Sequence, residues 1–526
     1  MQLIIVESPT KARTFSRFLN KDEFVISSSM GHVRDLPKSK LGIDVDTNFE
    51  PHYIILMNKR KTVQELVILA KKSTGIILAT DPDREGEAIA VHLNIVISEK
   101  LKKNVPIKRI VFHEITKEAL MDALKNSREL DIRLFNAQQA RRLLDRIVGY
   151  KISPYLWQKF SKNWLSAGRV QTVALRLLVE RHKERVNFSI RPYFVFKGFF
   201  SKEEHVIEAK LLNLCGEPLY ISNKITLFDG IYQFQETKII DAIIAERERK
   251  RLTSEQYTVS NVVESKITKS PPPPFTTSLL QQHSSNYFGY SAKRTMQIAQ
   301  ALYEEGLISY HRTDSFTLSE KFVTVSREFI SKTFGTEFVS TDVRRYKTKS
   351  KMAQEAHEAI RPTRVENTPH SDSIVALPKD QQKLYIAIYN RALATQMKEA
   401  SVLKQKIEIV SASKDMFIAE SEKILFPGYL ILDKETKETE FMGVWHVGEV
   451  VPTKEIRAEE RSTQPPPQYS EASLIKALEE KGIGRPSTYA PILSLLQERQ
   501  YVQKEVKNLV PTDLGSRVCE LLISKF

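Results

Sequence analysis

The 526-residue sequence has few cysteines and no long apolar run. Cys215 and Cys519 are its only cysteines, so it offers neither a disulfide framework nor the CxxC pairs of a zinc ribbon. No apolar run approaches the roughly 20 residues that a membrane-spanning helix needs. The opening MQLIIVES meets a glutamate before the apolar region of a signal peptide could form. These absences favour a cytoplasmic protein with two reduced, structural cysteines.

Acidic residues are outnumbered by basic ones. Lys and Arg total 79 against 64 Asp and Glu, which gives a formal net charge of +15. This excess favours a polyanionic partner, and since a membrane is disfavoured, nucleic acid is the better candidate. A phosphate-binding loop of the form GxxxxGKS or GxxxxGKT is absent from the sequence, so no nucleotide cofactor is predicted.

The hydrophobic pattern changes several times along a chain that is too long for one core. At the N-terminus, the apolar runs LIIV, FVISSSM, GIILAT and IKRIVF alternate with helical stretches, which predicts a parallel sheet with crossover helices. Strand-like alternation appears in YFVFKGFF and again in LKQKIEIVSA and FMGVWHVGEVV. A helical segment lies between them, and the proline runs SPPPPF and QPPPQ mark joints. We therefore predict a strand-rich domain interrupted by a helical one, with a helical tail from Ser470.

Acidic residues follow two of the predicted N-terminal strands. Glu7 follows QLIIV, and Asp81, Asp83 and Glu85 follow GIILAT. Ligands bind at the carboxyl ends of parallel strands, so these acids can converge on one crevice and offer oxygens to Mg²⁺. The alternative is a solvated turn, with Glu85 and Glu87 in the first turn of a helix where the helix dipole favours them.

The stretch GLISYHRTDS places four polar side chains together. A free tyrosine is a poor nucleophile at neutral pH, so a catalytic Tyr310 needs cationic support, and Arg312 can present paired donors to a phosphate. On residue types alone, a packed aromatic is the more common role for Tyr310. Asp314 is a candidate cap for the following helix.

Several motifs occur together and in a fixed order. VESPTKA and TDPDREGE resemble the Toprim domain. Together with GHVRDLP, SAGRVQTVALRLLVER, GLISYHRTDS, QEAHEAIRPT and GIGRPSTYA, they make the chain similar to the type IA DNA topoisomerases. Within that family the motifs resemble those of bacterial topoisomerase I more than those of topoisomerase III. The resemblance runs from residue 3 to beyond residue 510.

The resemblance implies a multidomain fold with α/β, α and β parts. It predicts a Rossmann-like Toprim sheet, a helical core, a strand-rich arch and an inserted helical domain that carries the tyrosine, together forming a torus. The predicted domains are Toprim at 1–130 with an excursion to the core near 35–60, core at 131–187, arch at 188–270, tyrosine domain at 271–397, arch at 398–469 and core at 470–526. Relatives continue beyond LLISKF, so the second core part is expected to be incomplete.

The resemblance also implies catalytic roles. Tyr310 would form a 5′-phosphotyrosyl bond, Arg312 would hold that phosphate, and Lys11 would bind the scissile phosphate. Glu7 would give or take the proton of the 3′ oxygen. Mg²⁺ would be held by Asp81 and Asp83, with Glu85 and Glu7 as further ligands.

Other matched positions are expected to bind DNA. Arg169 and Gln171 open a predicted helix, where free amides and the dipole favour a phosphate. His357 and Arg361 lie four positions apart, so we expect them on one face of a helix, and we expect Pro362 to end that helix. The full set of predicted DNA-binding residues is His32, Arg169, Gln171, His357, Arg361, Arg485 and Thr488.

The predicted partner is a single-stranded segment of negatively supercoiled DNA, bound by a monomer in the cytoplasm near the nucleoid. Two alternatives remain open. Another Toprim enzyme, such as a primase or nuclease, would use the acids without a covalent tyrosine. A non-catalytic DNA-binding protein would keep the fold alone, and the intact acids, tyrosine and arginine argue against it.

Overall fold

The structure is a computed structural model that describes residues 1–101, 105–202, 205–347, 358–433 and 442–526. Within these ranges, no helix is both long and apolar enough to cross a lipid bilayer.

The N-terminal region is a four-stranded parallel sheet of order β2-β1-β7-β8. Alternate residues of its central strand enter different cores: Ile4 packs with Phe15, whereas Leu3 packs with Leu66 and Leu93. The sheet is therefore covered on both faces, as parallel sheets require. Its elements are β1 (Gln2–Val6), α1 (Pro9–Phe18), β2 (Phe24–Ser28), β3 (Arg34–Asp35), β4 (Ile43–Asp44), β5 (Glu50–Pro51), β6 (Ile54–Ile55), α2 (Arg60–Lys72), β7 (Ile76–Leu78), α3 (Arg84–Leu101), β8 (Ile107–Arg109) and α4 (Lys117–Lys125).

Two long helices follow, α5 (Ile132–Phe160) and α6 (Arg169–Val186). The short strands β3 to β6 leave the parallel sheet and contact the first of these helices. Leu36 and Ile43 pack against Leu143, and the Arg142 guanidinium bonds both carboxylate oxygens of Asp35. The excursion thus links the N-terminal sheet to α5.

Long antiparallel strands then begin. They are β9 (Pro192–Lys202), β10 (His205–Leu214), β11 (Glu217–Pro218), β12 (Tyr220–Leu227), β13 (Gly230–Thr237) and β14 (Tyr257–Lys269), with α7 (Ala242–Ser254) before the last. Aromatic side chains such as Phe200, Tyr257 and Phe417 fill the core beneath the sheet, with ring centroids 5.1–5.5 Å apart.

The next segment is helical. It contains α8 (Thr277–Phe288), α9 (Ala292–Glu304), α10 (Glu320–Phe334), α11 (Asp372–Val375) and α12 (Lys379–Ala394). Tyr310 lies in the connection between α9 and α10. Gly306 starts this connection with φ +78°, and a Cβ there would lie 2.4 Å from the carbonyl oxygen of Ile115. Only glycine therefore allows the tyrosine connection to lie this close to the N-terminal region.

The chain then returns to the antiparallel sheet through β15 (Ala400–Ser411), β16 (Met416–Phe426), β17 (Val450–Val451) and β18 (Thr453–Ser462). The strand order is β17-β14-β15-β16-β10-β9-β18, with β11 paired to β10. One sheet is thus built from strands on both sides of the helical segment.

The C-terminal region packs on α6. It comprises α13 (Glu471–Glu480), α14 (Tyr489–Glu498), β19 (Val502–Glu505), β20 (Asn508–Pro511) and α15 (Asp513–Lys525). Leu175 and Leu178 share a core with Leu478, Leu493 and Leu522. Sequence periodicity predicted helix throughout this tail and missed the hairpin, whose inward residues are too few to produce a clear alternation.

The predicted fold class, with its parallel sheet, helical regions and antiparallel sheet, is confirmed. Two local predictions were wrong. The described residues before Pro362 are extended, because Ile360 bridges Phe275 and the position before a proline disfavours helix. In FMGVWHVGEVV, the described part forms a strand only at β17.

Candidate active site

The carboxyl ends of β1 and β7 bring two acids and one lysine together. The Lys11 ammonium, in the first turn of α1, contacts the carboxylates of both Glu7 and Asp81. The Ser8 hydroxyl caps α1 by accepting the Lys11 amide at 3.2 Å, so the helix start fixes the lysine. The Asp81 amide donates to Glu7 Oε2 at 3.2 Å. Residues 70 or more positions apart thus form one buried ionic group.

The charges in this group shift one another's pKa values. Burial would raise the pKa of Glu7, but the charge of Lys11 and the hydrogen bonds from Asp81 and Lys11 together lower the pKa to about 2. Burial would lower the pKa of Lys11, and the charges of Asp81 and Glu7 raise it instead. The pKa of Asp81 is raised by burial and by the negative charge of Glu7. Glu7 is therefore the carboxylate and Lys11 the ammonium ion in this arrangement.

Tyr310 reaches the same crevice from the other side. Its phenol donates to Asp83 Oδ2 at 2.7 Å, and Arg312 Nη1 lies 3.9 Å from that oxygen. The Tyr310 amide donates to the His113 carbonyl at 2.7 Å, which fixes the connection to the N-terminal region. Tyr310 is only 2% exposed.

Burial raises the pKa of Tyr310 well above its ordinary value, and the charges of Asp83 and Asp81 add to the rise. The positive charge of Arg312 acts in the opposite direction. Tyr310 is thus a protonated, shielded phenol in this arrangement, with a cation beside it that favours the phenolate.

The turn that carries the two aspartates is tightly packed. Asp83 Oδ1 accepts the Gly86 amide at 2.8 Å in the first turn of α3. A Cβ at Gly86 would lie 2.1 Å from the Asp81 carbonyl oxygen, so the turn requires glycine at this position. The helix start therefore orients Asp83 towards Tyr310.

Glu85 points towards different partners. Its Oε2 lies 3.2 Å from His32 Nε2 and accepts from Gln138 Nε2 at 3.1 Å. Burial would raise the pKa of Glu85, but these partners lower it overall. Within the described ranges, no three acids, histidines or cysteines are grouped closely enough to hold a metal ion.

The chemistry of the donor set nevertheless suits Mg²⁺. Asp81, Asp83 and Glu85 lie within five positions and supply carboxylate oxygens, the ligands that Mg²⁺ prefers. The position between Glu7 and Asp81 is already taken by a cation, the Lys11 ammonium. Asp83 and Glu85 are the two acids of the turn that Lys11 does not contact.

A cleft with an empty volume of about 590 Å³ opens beside Asp83. Its basic lining, Arg84, Arg141, Arg312 and Arg485, comes from four separate parts of the chain. The four guanidinium groups outnumber the three acids of the lining and can bond the phosphates of a nucleic-acid backbone. The remaining lining residues are Asp83, Glu85, Gln138, Asp314, Pro486 and Ser487.

Known proteins match both halves of this architecture. Residues 2–115 match the Toprim domain family, and residues 129–526 match a family described as DNA topoisomerase. DNA topoisomerase 1 of Campylobacter jejuni is 43% identical over all of this chain and 73% of its own length. The chain belongs to the type IA DNA topoisomerases.

A further relative and a solved structure also match nearly the whole of this chain. DNA topoisomerase 1 of a Synechocystis strain is 41% identical over all of this chain, which spans 60% of that relative's length. The structure of full-length topoisomerase I from Thermotoga maritima superposes with a TM-score of 0.84 at 37% identity, over 99% of this chain and 83% of that one.

Several DNA-binding predictions fall on or near the cleft of this topoisomerase. Arg485 lines it, and Thr488 Oγ1 closes the turn before α14 by accepting the Arg485 amide at 2.8 Å. Arg169, the first residue of α6, bonds Asp145 at 2.8 Å. Gln171 is buried and bonds Ser166 instead.

Arg361 does not line this cleft. It is buried, with Nη1 2.7 Å from Glu114 and Nη2 2.6 Å from Glu358, and it lines a second cavity. His357, predicted as its neighbour on a helix face, is outside the described residues. Asp314 lines the cleft, whereas Ser319 caps α10.

Sequence reasoning missed four residues of the topoisomerase site. Gln138 and Arg141, three apart on α5, could have been found from their shared helix face. His311 and Tyr303 are buried beside Tyr310, with ring centroids 5.4 and 5.2 Å from it. Burial and the charges of Arg312 and Lys11 lower the pKa of His311 well below its ordinary value. Nothing in the sequence pattern indicated that Tyr303 and a neutral His311 pack against the Tyr310 ring.

Proposed function

We propose that the protein transiently cleaves one DNA strand through Tyr310, passes a strand through the gap and reseals it, which relaxes negatively supercoiled DNA without ATP. The observation that carries this proposal is the 2.7 Å contact between the Tyr310 phenol and Asp83, with Arg312 alongside. It joins a nucleophile and a cation from one segment to an acidic turn that lies 227 positions away in the chain.

Cleavage forms a bond between the Tyr310 oxygen and phosphorus as the phenol proton passes to water, and it breaks the bond from phosphorus to the 3′ oxygen, which takes a proton from Glu7. The DNA keeps a free 3′ hydroxyl, and its 5′ phosphate stays on the enzyme. Arg312 supports the phenolate and the charged phosphoryl group. Because the new ester preserves the bond's free energy, resealing needs no nucleotide.

Lys11 and Glu7 act at the leaving oxygen. Lys11 stabilises the ionised form of Glu7, so Glu7 is ready to accept the proton of the 3′ hydroxyl during resealing. A phosphate that attracts Lys11 would weaken its hold on Glu7 and favour the protonated acid needed for cleavage. One ion pair thereby serves both directions of the reaction.

Asp81, Asp83 and Glu85 would hold Mg²⁺, with Glu7 adjacent. When bound, the ion supplies positive charge that fixes the DNA backbone next to the scissile phosphate. The three carboxylates keep the turn acidic, so a phosphate enters only where Lys11, Arg312 or the ion compensates its charge.

The cleft binds the single strand. Arg485 and Arg169 contact phosphates, His32 acts beside Glu85, and Gln171 and Thr488 shape the helix starts that face the strand. His357 and Arg361 bind a nucleotide phosphate. Since one chain supplies every reacting group, the protein acts as a monomer, and its substrate places it in the cytoplasm at the nucleoid.

The test uses a single-stranded oligonucleotide labelled at its 5′ end in one sample and at its 3′ end in another. The protein is incubated with each plus Mg²⁺ and then denatured. We expect a covalent adduct that carries the 3′ label, because the 5′ phosphate of the downstream fragment is attached to protein. Cleavage without an adduct indicates a Toprim nuclease, and binding without cleavage indicates a non-catalytic protein; either result contradicts the proposal.

A further inference from the structure

Arg109 is a fully buried arginine at the end of β8 to which neither the sequence nor the proposed reaction assigns a role. Its side chain is 0% exposed and lies beneath the turn that carries Asp81 and Asp83. An arginine is almost never buried in this way unless its donors are bonded, so each contact identifies what it holds.

The guanidinium bonds the backbone of the acidic turn. Nη2 donates to the Asp81 carbonyl at 2.7 Å, and Nη1 donates to the carbonyls of Thr80 at 2.9 Å and Leu78 at 3.2 Å. Nη1 also contacts the Ile110 carbonyl. A planar group with fixed donors therefore sets the position of successive carbonyls where β7 becomes the turn.

The third nitrogen bonds a carboxylate that extends this contact to α5. Arg109 Nε donates to Glu87 Oε2 at 3.1 Å. Glu87 also accepts the Arg128 guanidinium at 2.9 Å and the Asp131 amide at 2.7 Å, where α5 begins. Helix α5 carries Gln138 and Arg141 to the cleft. Arg109 and Glu87 thus link the acidic turn on one side of the cleft to helix α5 on the other.

We infer that Arg109 is a positioning residue for the metal-binding turn: its fork holds the Asp81 backbone, and Glu87 aligns that turn with α5. The inference rests on the proposed magnesium chemistry of the turn. Mg²⁺ demands near-ideal octahedral geometry, so a small displacement of the carboxylates weakens the site. Groups that orient ligands typically change metal affinity by about 10- to 100-fold when altered.

The test compares Arg109→Lys with Arg128→Lys. Lysine keeps the charge at position 109 but loses the planar fork, so the carbonyls of Thr80 and Asp81 are no longer held together. Arg128 bonds the same Glu87 without touching the turn carbonyls, so its variant is the matched control. Two readouts are measured, Mn²⁺ binding to the metal-free protein by electron paramagnetic resonance and the Mg²⁺ midpoint for resealing of a preformed adduct.

We expect Arg109→Lys to weaken Mn²⁺ binding and raise the Mg²⁺ midpoint by about tenfold or more, with adduct formation largely retained. Arg128→Lys should leave both values near those of the unaltered protein. Equal metal affinity in Arg109→Lys and the unaltered protein overturns the inference and leaves Arg109 a purely structural residue.

Two further outcomes are separable. If the unaltered protein forms no adduct, the proposed function fails, whereas Mn²⁺ binding still decides the role of Arg109. If Arg109→Lys does not fold, Glu87→Gln replaces it, since it keeps the shape of the partner and removes its charge. We then expect a smaller loss of Mn²⁺ affinity in the same direction, and no loss overturns the inference.

Discussion

The phenol of Tyr310 bonds the carboxylate of Asp83 although 227 positions separate them in the chain. A phosphate cannot reach the phenol while Tyr310 is buried and this hydrogen bond is in place. The proposed cleavage therefore requires Tyr310 to separate from Asp83 before a phosphate reaches the phenol.

Removing only the phenol hydroxyl tests the nucleophile. Tyr310→Phe should lose the covalent adduct by a factor of at least about 10³ while single-strand binding persists, because no other group replaces the attacking oxygen. The measurement is adduct yield on a labelled oligonucleotide. Tyr389→Phe, which removes a hydroxyl bonded to the Val365 carbonyl in the same segment, is the control and should keep its adduct. Undiminished adduct in Tyr310→Phe would refute the assignment.

Removing the charge of the two aspartates separates metal binding from cleavage. Asp81→Asn/Asp83→Asn should abolish Mg²⁺-dependent relaxation of negatively supercoiled plasmid, whereas some oligonucleotide cleavage persists because Tyr310 and Arg312 are intact. ATP is left out of both assays. The unaltered chain is first shown to relax plasmid, and Asp122→Asn, on the exposed side of α4, is the control. Equal relaxation by the double variant would exclude these aspartates as the metal site.

Salt dependence tests the basic cleft. Single-strand affinity should fall steeply with salt concentration, because each phosphate contact releases counterions. Arg141→Gln should reduce the log–log slope by about 0.7, the value for one lost contact with a single strand. Arg247→Gln alters an arginine on α7 that is 70% exposed, and its slope should not change. The slopes are measured by fluorescence-anisotropy titrations at several salt concentrations. Equal slopes in all three proteins would contradict the proposal that the cleft binds DNA phosphates.

Buried histidines predict an acid-sensitive fold. Burial and the charges of Arg34 and His32 lower the pKa of His92 to about 4. The unfolded chain takes up this proton near pH 6.5 and the folded chain does not, so stability falls as the pH drops below 6.5 towards 4. Between pH 6.5 and 5 this amounts to about 2 kcal/mol.

His92→Gln should lose this component, so its urea midpoint should change less between pH 7 and 5 than that of the unaltered protein. His370→Gln, an exposed position, serves as the control. A pH dependence that is identical in all three proteins would rule out His92 as its source.

The sequence predicted that Glu7, Asp81 and Asp83 lie together, because the ends of parallel strands share one edge of a sheet even where the strands are far apart in the chain. The contact of Tyr310 with Asp83 depends on packing between distant segments, and residue types alone favoured a packed aromatic. Arg109 gave no signal, since a lone arginine after a short strand is usually exposed.

The helix predicted at Arg361 was wrong for the same reason, because contacts with distant segments determine the backbone there. Spacing of four residues predicted a shared helix face, but Ile360 bridges Phe275 and Pro362 bridges Ile308, so pairing with distant segments decides the backbone there. The local spacing of residues does not identify such distant bridge partners.

The chain leaves the antiparallel sheet at Lys269 and re-enters it at Ala400, and these two residues are paired neighbours on β14 and β15. Without the helical segment, a tight turn would join the two strands as an ordinary hairpin. The tyrosine-bearing segment is therefore a modular insertion at a hairpin tip, and both its ends are attached at one point. The movement that the proposed strand passage requires therefore need not break any strand pair of the antiparallel sheet.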